Sequence, residues 1–419
     1  MIIREQYLKL IRPFYEQNLI KVITGIRRSG KSVLLQQIID ELKTNDVTDD
    51  QIIYINFEFD DWMFIKNRSD LHSYVEEKMN KKKKAYLFFD EIQNVTEWEK
   101  TVNSFKAKYK DMVSIFVTGS NSDLLDGDLA THIAGRYVGF KVYPFTFKEV
   151  CELKGLLNKS KYELAEDFDD YMMWGGLPQR FSQRDEIGIR TYLSDVYDSI
   201  VVKDIINRFK IKELDLLNRI LEYIVTTPSQ TFSAENLSKE FKNKDDRVVG
   251  KDTLYNYLDY MSKALLIKKA DRYDVRGKRI LTGKYKYYLT DLGLGQIKNT
   301  SKKEQRGAYI ENIVFNELVA RGYDVKIGSI KNTLKDKEKP EETQKNGEID
   351  FIATKHGEKI YIQACYLLYD DKVIKREFGA YDNIKDHFPK YVISYDTFNQ
   401  SQDGIIHKNI IDWLLEVDK

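Results

Sequence analysis

At 419 residues the chain exceeds one ordinary domain of roughly 150 residues, and two to four are expected. Its 67 basic and 66 acidic side chains nearly cancel, so no global field draws it to nucleic acid or a lipid surface. Two distant cysteines, no apolar run near the ~18 residues of a membrane span and no apolar signal core at Met1–Glu5 argue against a disulfide scaffold, a membrane span and a secretory leader; a cytoplasmic protein is expected.

In chain order, Leu19–Thr24 reads as a buried strand. It runs into Gly25-Ile26-Arg27-Arg28-Ser29-Gly30-Lys31-Ser32, a full G-x-x-x-x-G-K-S match, and then into an amphipathic helix. Glycines let the backbone close around phosphate oxygens, whose charge the inward N–H groups and the helix N-terminus meet. In such a loop Lys31 reaches the β- and γ-phosphates of ATP, and the Ser32 hydroxyl ligates Mg²⁺. Gln51–Phe59 reads as another strand, and Ala85–Phe89 as an apolar one ending in Asp90-Glu91. Asp90 is the expected Mg²⁺ partner opposite Ser32, and Glu91 the group that polarises the attacking water. The strand Ser114–Thr118 ends in Gly119-Ser120-Asn121, which places Ser120 or Asn121 at the ligand crevice of a parallel sheet.

These residues resemble the AAA+ branch of P-loop ATPases, where an extra strand separates the two phosphate motifs and a polar sensor ends the next strand. Asn121 is that sensor by resemblance. Arg136, just before the strand Tyr137–Tyr143, stands where such proteins place an arginine finger for a neighbouring subunit, which implies a homo-oligomer at least during turnover. Trp174-Gly175-Gly176-Leu177-Pro178 resembles the lid motif whose proline packs near adenine, with Arg180 a lesser sensor candidate. As a whole the chain resembles a prokaryotic family in which an AAA-type ATPase is fused to a C-terminal domain of unknown function.

From 212 to 298 the pattern becomes three short helices and a hairpin, the plan of a winged helix-turn-helix. Ser233 and Asp252 are the expected caps of the second and third helices. Lys251, Thr253, Tyr255, Asn256 and Lys263 would face a DNA groove, and Arg272, Arg276, Lys278, Arg279 and Lys284 would form a basic wing. A protein-contact role for the same module stands beside this reading. Beyond 299 the order of elements resembles the PD-(D/E)xK nuclease fold. Glu311 and Asp350 fill two of its acidic positions, while Gln363-Ala364-Cys365 stands where E-x-K belongs, so nuclease chemistry is not expected.

The expected fold is α/β: a P-loop parallel sheet (1–150), a helical lid (151–211), a winged helix (212–298) and a small restriction-endonuclease-like α/β domain (299–419). The expected function is ATP hydrolysis with Mg²⁺ driving a conformational switch that engages double-stranded DNA or a protein partner. An ATP-regulated nuclease and a switch without nucleic acid are the alternatives.

Overall fold

The computed structural model describes residues 2–124, 135–245, 249–298, 305–332 and 345–416. Its first sheet has five parallel strands: β1 (Ile20–Thr24), β2 (Ile52–Asn56), β3 (Ala85–Asp90), β4 (Val113–Gly119) and β5 (Tyr137–Lys141). Their order is β2-β3-β4-β1-β5, so β4 lies between the strands that carry the two phosphate motifs. Helices cover both faces, which is why β1, β3 and β4 are buried along their whole length. One face packs Leu87, Phe89, Val102 and Phe105; the other packs Ile23, Leu34, Ile38 and Phe116.

Helices Phe147–Lys154, Ala165–Trp174 and Glu186–Ser199 follow, the last running on into a π-helical stretch, Ile200–Asn207. Next come helices Leu214–Thr226, Ala234–Asp245 and Lys251–Lys263. The cap expected at Asp252 falls instead at Gly250, whose extended backbone precedes the helix and leaves Asp252 in the first turn.

The hairpin that follows is not a free appendage. Strands β6 (Thr231–Phe232), β7 (Ile267–Asp274) and β8 (Arg279–Leu289) share one sheet with β9 (Asp324–Asn332), β10 (Lys345–Lys355), β11 (Glu358–Ala364), β12 (Lys390–Ser394) and β13 (Ile406–Asn409). The junction is parallel pairing of Arg272–Asp274 with Ile327–Ser329. One apolar core runs through Phe168 and Trp174, Leu217 and Leu254, then Ile310 and Phe351, across the expected boundaries at 211 and 298. Part of the hairpin's charge is paired within the fold: Arg272 donates to Glu348, and Lys286 Nζ lies 2.9 Å from Glu311 and 2.7 Å from Glu348, while the exposed Arg276 donates to Asn383 at 2.8 Å. The side chain of Lys284 lies outside the described residues. On the third helix, Lys263 pairs with Asp259 at 2.8 Å and Lys251 approaches Glu235 at 3.7 Å. No helix among the described residues is long and apolar enough to cross a membrane.

Candidate active site

The loop between β1 and the helix Lys31–Thr44 is shaped by close approach and by left-handed backbone. A Cβ on Gly25 would come within 2.3 Å of the Val142 carbonyl oxygen, so no larger residue fits there. Arg28 (φ 68) and Gly30 (φ 95) then turn the chain back into the helix. Lys31 opens that helix; its buried ammonium donates to the Gly25 carbonyl at 3.1 Å and lies 3.1 Å from Glu91 Oε1.

Asp90 and Glu91 leave β3 in different environments. Asp90 is fully buried and accepts from Tyr54 (3.1 Å), Asn56 (3.0 Å) and the Thr118 hydroxyl. Burial pushes its carboxyl up, against hydrogen bonds from Ser32 and Thr118, so Ser32 lies beside Asp90. Glu91 has φ 54, a left-handed conformation held by its N–H bond to Thr118 Oγ1 at 3.0 Å. Burial would raise its carboxyl, but the Lys31 ammonium, the Gln93 amide and Arg27 hold it below the usual carboxylate value.

Unpaired polar atoms mark the same place. Thr24 Oγ1, Ser29 Oγ, Gln93 Oε1, Ser120 Oγ and Asn121 Oδ1 are buried without a partner among the described residues, all in the loop or at or just beyond the ends of β1, β3 and β4. Other such atoms, among them Tyr192 Oη, Thr290 Oγ1 and Asp386 Oδ1, are scattered through the lid and the C-terminal half, whereas these five meet at one place, which suits a polar ligand and its waters. These are the donors and acceptors that ATP with Mg²⁺ would meet, with Ser32 and Asp90 placed to hold the metal. A cavity of about 760 Å³ opens here, lined among others by Arg27, Arg28, Gln93 and Asn121. A second, of about 640 Å³ and more apolar, lies across Gly30 between Ile2, Val33, Phe145, Pro178 and Phe181.

Pro178 therefore sits beside the loop: a Cβ on Gly30 would be 3.8 Å from its Cγ. Arg136 does not join the site of its own chain. It precedes Tyr137, which pairs with Ile20 at the start of β1, whereas the loop leaves the other end of that strand. Arg180 is turned into the lid, donating to Gly175 O at 2.7 Å and Asp170 at 3.0 Å.

Three tethers were not visible in the sequence. Arg4 is 2% exposed and donates to both oxygens of Glu149 and to the carbonyls of Ser29 and Tyr143. Arg27 grips Asp204 of the π-helical stretch with two bonds, 3.0 and 3.1 Å, and Glu58 with a third at 2.6 Å. Asp291 accepts from the N–H of Gly176 at 2.7 Å and of Gly293 at 2.9 Å, joining the lid to the hairpin unit. The capping box of Thr146 and Glu149 was the one available signal for the first tether.

Residues 17–151 match the family model described as AAA domain, and residues 165–304 match a domain of unknown function (DUF8612). The chain is similar to an uncharacterized protein of Haemophilus influenzae, 35% identical over 419 residues and covering 99% of each chain. It is also similar to the uncharacterized protein MJ1544 of Methanocaldococcus jannaschii, 32% identical over 381 residues, 88% of this chain and 79% of that one. Among solved structures, the ORC2 protein of Aeropyrum pernix (ADPNP–ADP complexes) is 9% identical with a TM-score of 0.37, covering 75% of this chain and 92% of that one. A likeness at that score carries no argument.

Proposed function

Because the chain belongs to the same family of P-loop AAA proteins as these Haemophilus and Methanocaldococcus relatives, we propose that its first sheet binds and hydrolyses ATP and so drives a switch engaging a partner. The observation that carries this reading is the group of orphaned buried oxygens around Lys31, Asp90 and Glu91.

In this mechanism the loop N–H groups and Lys31 hold the phosphates, and Mg²⁺, when bound, neutralises charge on their oxygens. Drawing Lys31 toward phosphate weakens its pairing with Glu91, whose carboxylate is then free to take a proton from the attacking water. Asn121 Oδ1, buried and unpaired, faces the same cavity and would orient that water. Arg136 would act on a neighbouring subunit's nucleotide; its distance in the fold from its own loop supports action in trans. The Arg27–Asp204 and Gly176–Asp291 bonds supply a connected route from loop to lid to hairpin.

For the partner, the three helices and hairpin support a winged helix, with double-stranded DNA as the leading candidate and a protein as the other. The pairing of Arg272 and Lys286 with Glu348 leaves less of the hairpin's charge for phosphate than its sequence suggests. One observation favours a second reading, an ATP-regulated nuclease. The ammonium of Lys286 stands beside Glu311, close to Asp350, supplying from β8 the charge that Cys365 lacks. Mg²⁺-dependent DNA cleavage that disappears in Asp350→Ala would establish it.

The test is steady-state ATP hydrolysis by wild-type and Glu91→Gln protein, with and without mixed duplex DNA. Turnover lost in Glu91→Gln supports the site, and normal turnover there removes Glu91 from its role. Stimulation by DNA supports the nucleic-acid partner; indifference turns the search to proteins captured by the ATP-trapped variant.

A further inference from the structure

We propose that Gln93 is a positioning residue for hydrolysis: its side-chain N–H holds Glu91, and its carbonyl oxygen receives the second hydrogen of the attacking water. This rests on the ATPase reading above.

The argument begins with the backbone. Glu91 is left-handed, and the 3-10 turn Ile92–Asn94 follows directly, so the chain doubles back and lays Gln93 over the carboxylate it has just passed. Gln93 Nε2 lies 2.5 Å from Glu91 Oε2. An ionised carboxylate only accepts, which assigns the amide: nitrogen faces Glu91, and Oε1 must face away.

Among the described residues that buried Oε1 has no partner. It lies against Gly119, where a Cβ would come within 2.7 Å of it and 2.1 Å of Leu124 Cδ1, so only a glycine at the end of β4 leaves room for both side chains. Gln93 lines the same cavity of about 760 Å³ as Arg28 and Asn121. A buried acceptor is rarely left unpaired in a folded protein unless a ligand or water completes it.

The chemistry has a place for such an acceptor. As the water oxygen bonds to the γ-phosphorus, the bridging P–O bond breaks and its electron pair leaves on ADP. One water proton passes to the Glu91 carboxylate. The other hydrogen stays on the new phosphate, and a fixed acceptor for it aims the water's lone pair at phosphorus. Glu91 and Gln93 together hold the two hydrogens.

The experiment uses the full-length protein and the variants Gln93→Met, close in length but without polar atoms, and Gln93→Ala should the first not fold. Glu91→Gln and Lys31→Ala serve as references. Three quantities are read: kcat and KM for ATP, affinity for a fluorescent ATP analogue, and trapping of ADP with aluminium fluoride and Mg²⁺, which mimics the transition state. The expected result is a kcat lowered by about a hundredfold, analogue affinity within about twofold of wild type, and loss of trapping. Unchanged kcat overturns the proposal. So does a lowered kcat with trapping intact, which would make Gln93 a structural prop. A wild type without turnover, or a Glu91→Gln variant with normal turnover, removes the ATPase reading itself and this inference with it.

Discussion

Replacing Arg4 by methionine keeps most of the side-chain volume but removes a guanidinium that is 2% exposed. In the wild type its Nε and Nη2 meet the two oxygens of Glu149 at 2.8 and 2.9 Å, and Nη1 holds the Ser29 and Tyr143 carbonyls at 3.1 and 2.9 Å. Without it, Glu149 keeps only Gln6 and its own capping contacts with Thr146 as neutral partners. Removing one partner of a buried ion pair costs about 3–5 kcal/mol, because the stranded charge stays desolvated. At roughly 2–4 °C per kcal/mol for a domain of this size, the first thermal transition should fall by about 6–20 °C. The double variant Arg4→Met/Glu149→Gln has no stranded charge and should recover about 1–3 kcal/mol of the loss. Calorimetry of wild type, both single variants and the double variant completes the cycle. A single-variant loss below about 1 kcal/mol, or costs that simply add in the double variant, would refute the claim that a buried pair holds the loop. Nucleotide affinity should weaken in Arg4→Met, since the Ser29 carbonyl loses its donor.

Lys31→Ala should bind ATP weakly or not at all, because it deletes the ammonium that meets the β- and γ-phosphates; unchanged affinity in a folded variant would discard the site. Mixing Lys31→Ala with Arg136→Ala protein should restore part of the turnover through sites pairing an intact Lys31 with an intact Arg136. Demonstrated mixed assembly without rescue argues against the trans role. The Asp291 carboxyl is pushed up to about 6 by burial, against the Gly176 N–H, the Arg180 charge and the Gly293 N–H. Its folded value exceeds its unfolded one, so the native state holds the proton more tightly. The stability this contributes is complete below about pH 4 and is lost as pH rises through 6, roughly 3 kcal/mol in all. Urea midpoints from pH 4 to 7.5 should show that slope in wild type and not in Asp291→Asn; parallel curves would contradict it.

The phosphate loop, the four strands from β1 to β4 and the Asp-Glu pair were legible in the sequence because each is local. A turn that wraps phosphate needs glycines at fixed offsets, and a strand buried on both faces must be an unbroken apolar run. What closes the site was not legible. Arg4 and Glu149, Arg27 and Asp204, and Gly176 and Asp291 lie far apart in the chain, and no pattern along it says which charges or N–H groups will meet. Gln93 was not legible either, although it stands only two residues beyond Glu91, since the left-handed backbone at 91 is what folds its side chain back.

The C-terminal half divides the same way. Periodicity announced the three helices, the hairpin of 267–289 and a second hairpin pairing 348–352 with 359–365, and the motif positions drew attention to Glu311 and Asp350. Only the fold decided that β7 would pair with β9, so that strands of 231–289 and of 324–409 share one sheet and Lys286 reaches Glu311 and Glu348. Strand pairing between distant segments depends on which edges are left open once the helices have packed. That choice is made by the tertiary core, where lid, helices and sheet bury their apolar faces together.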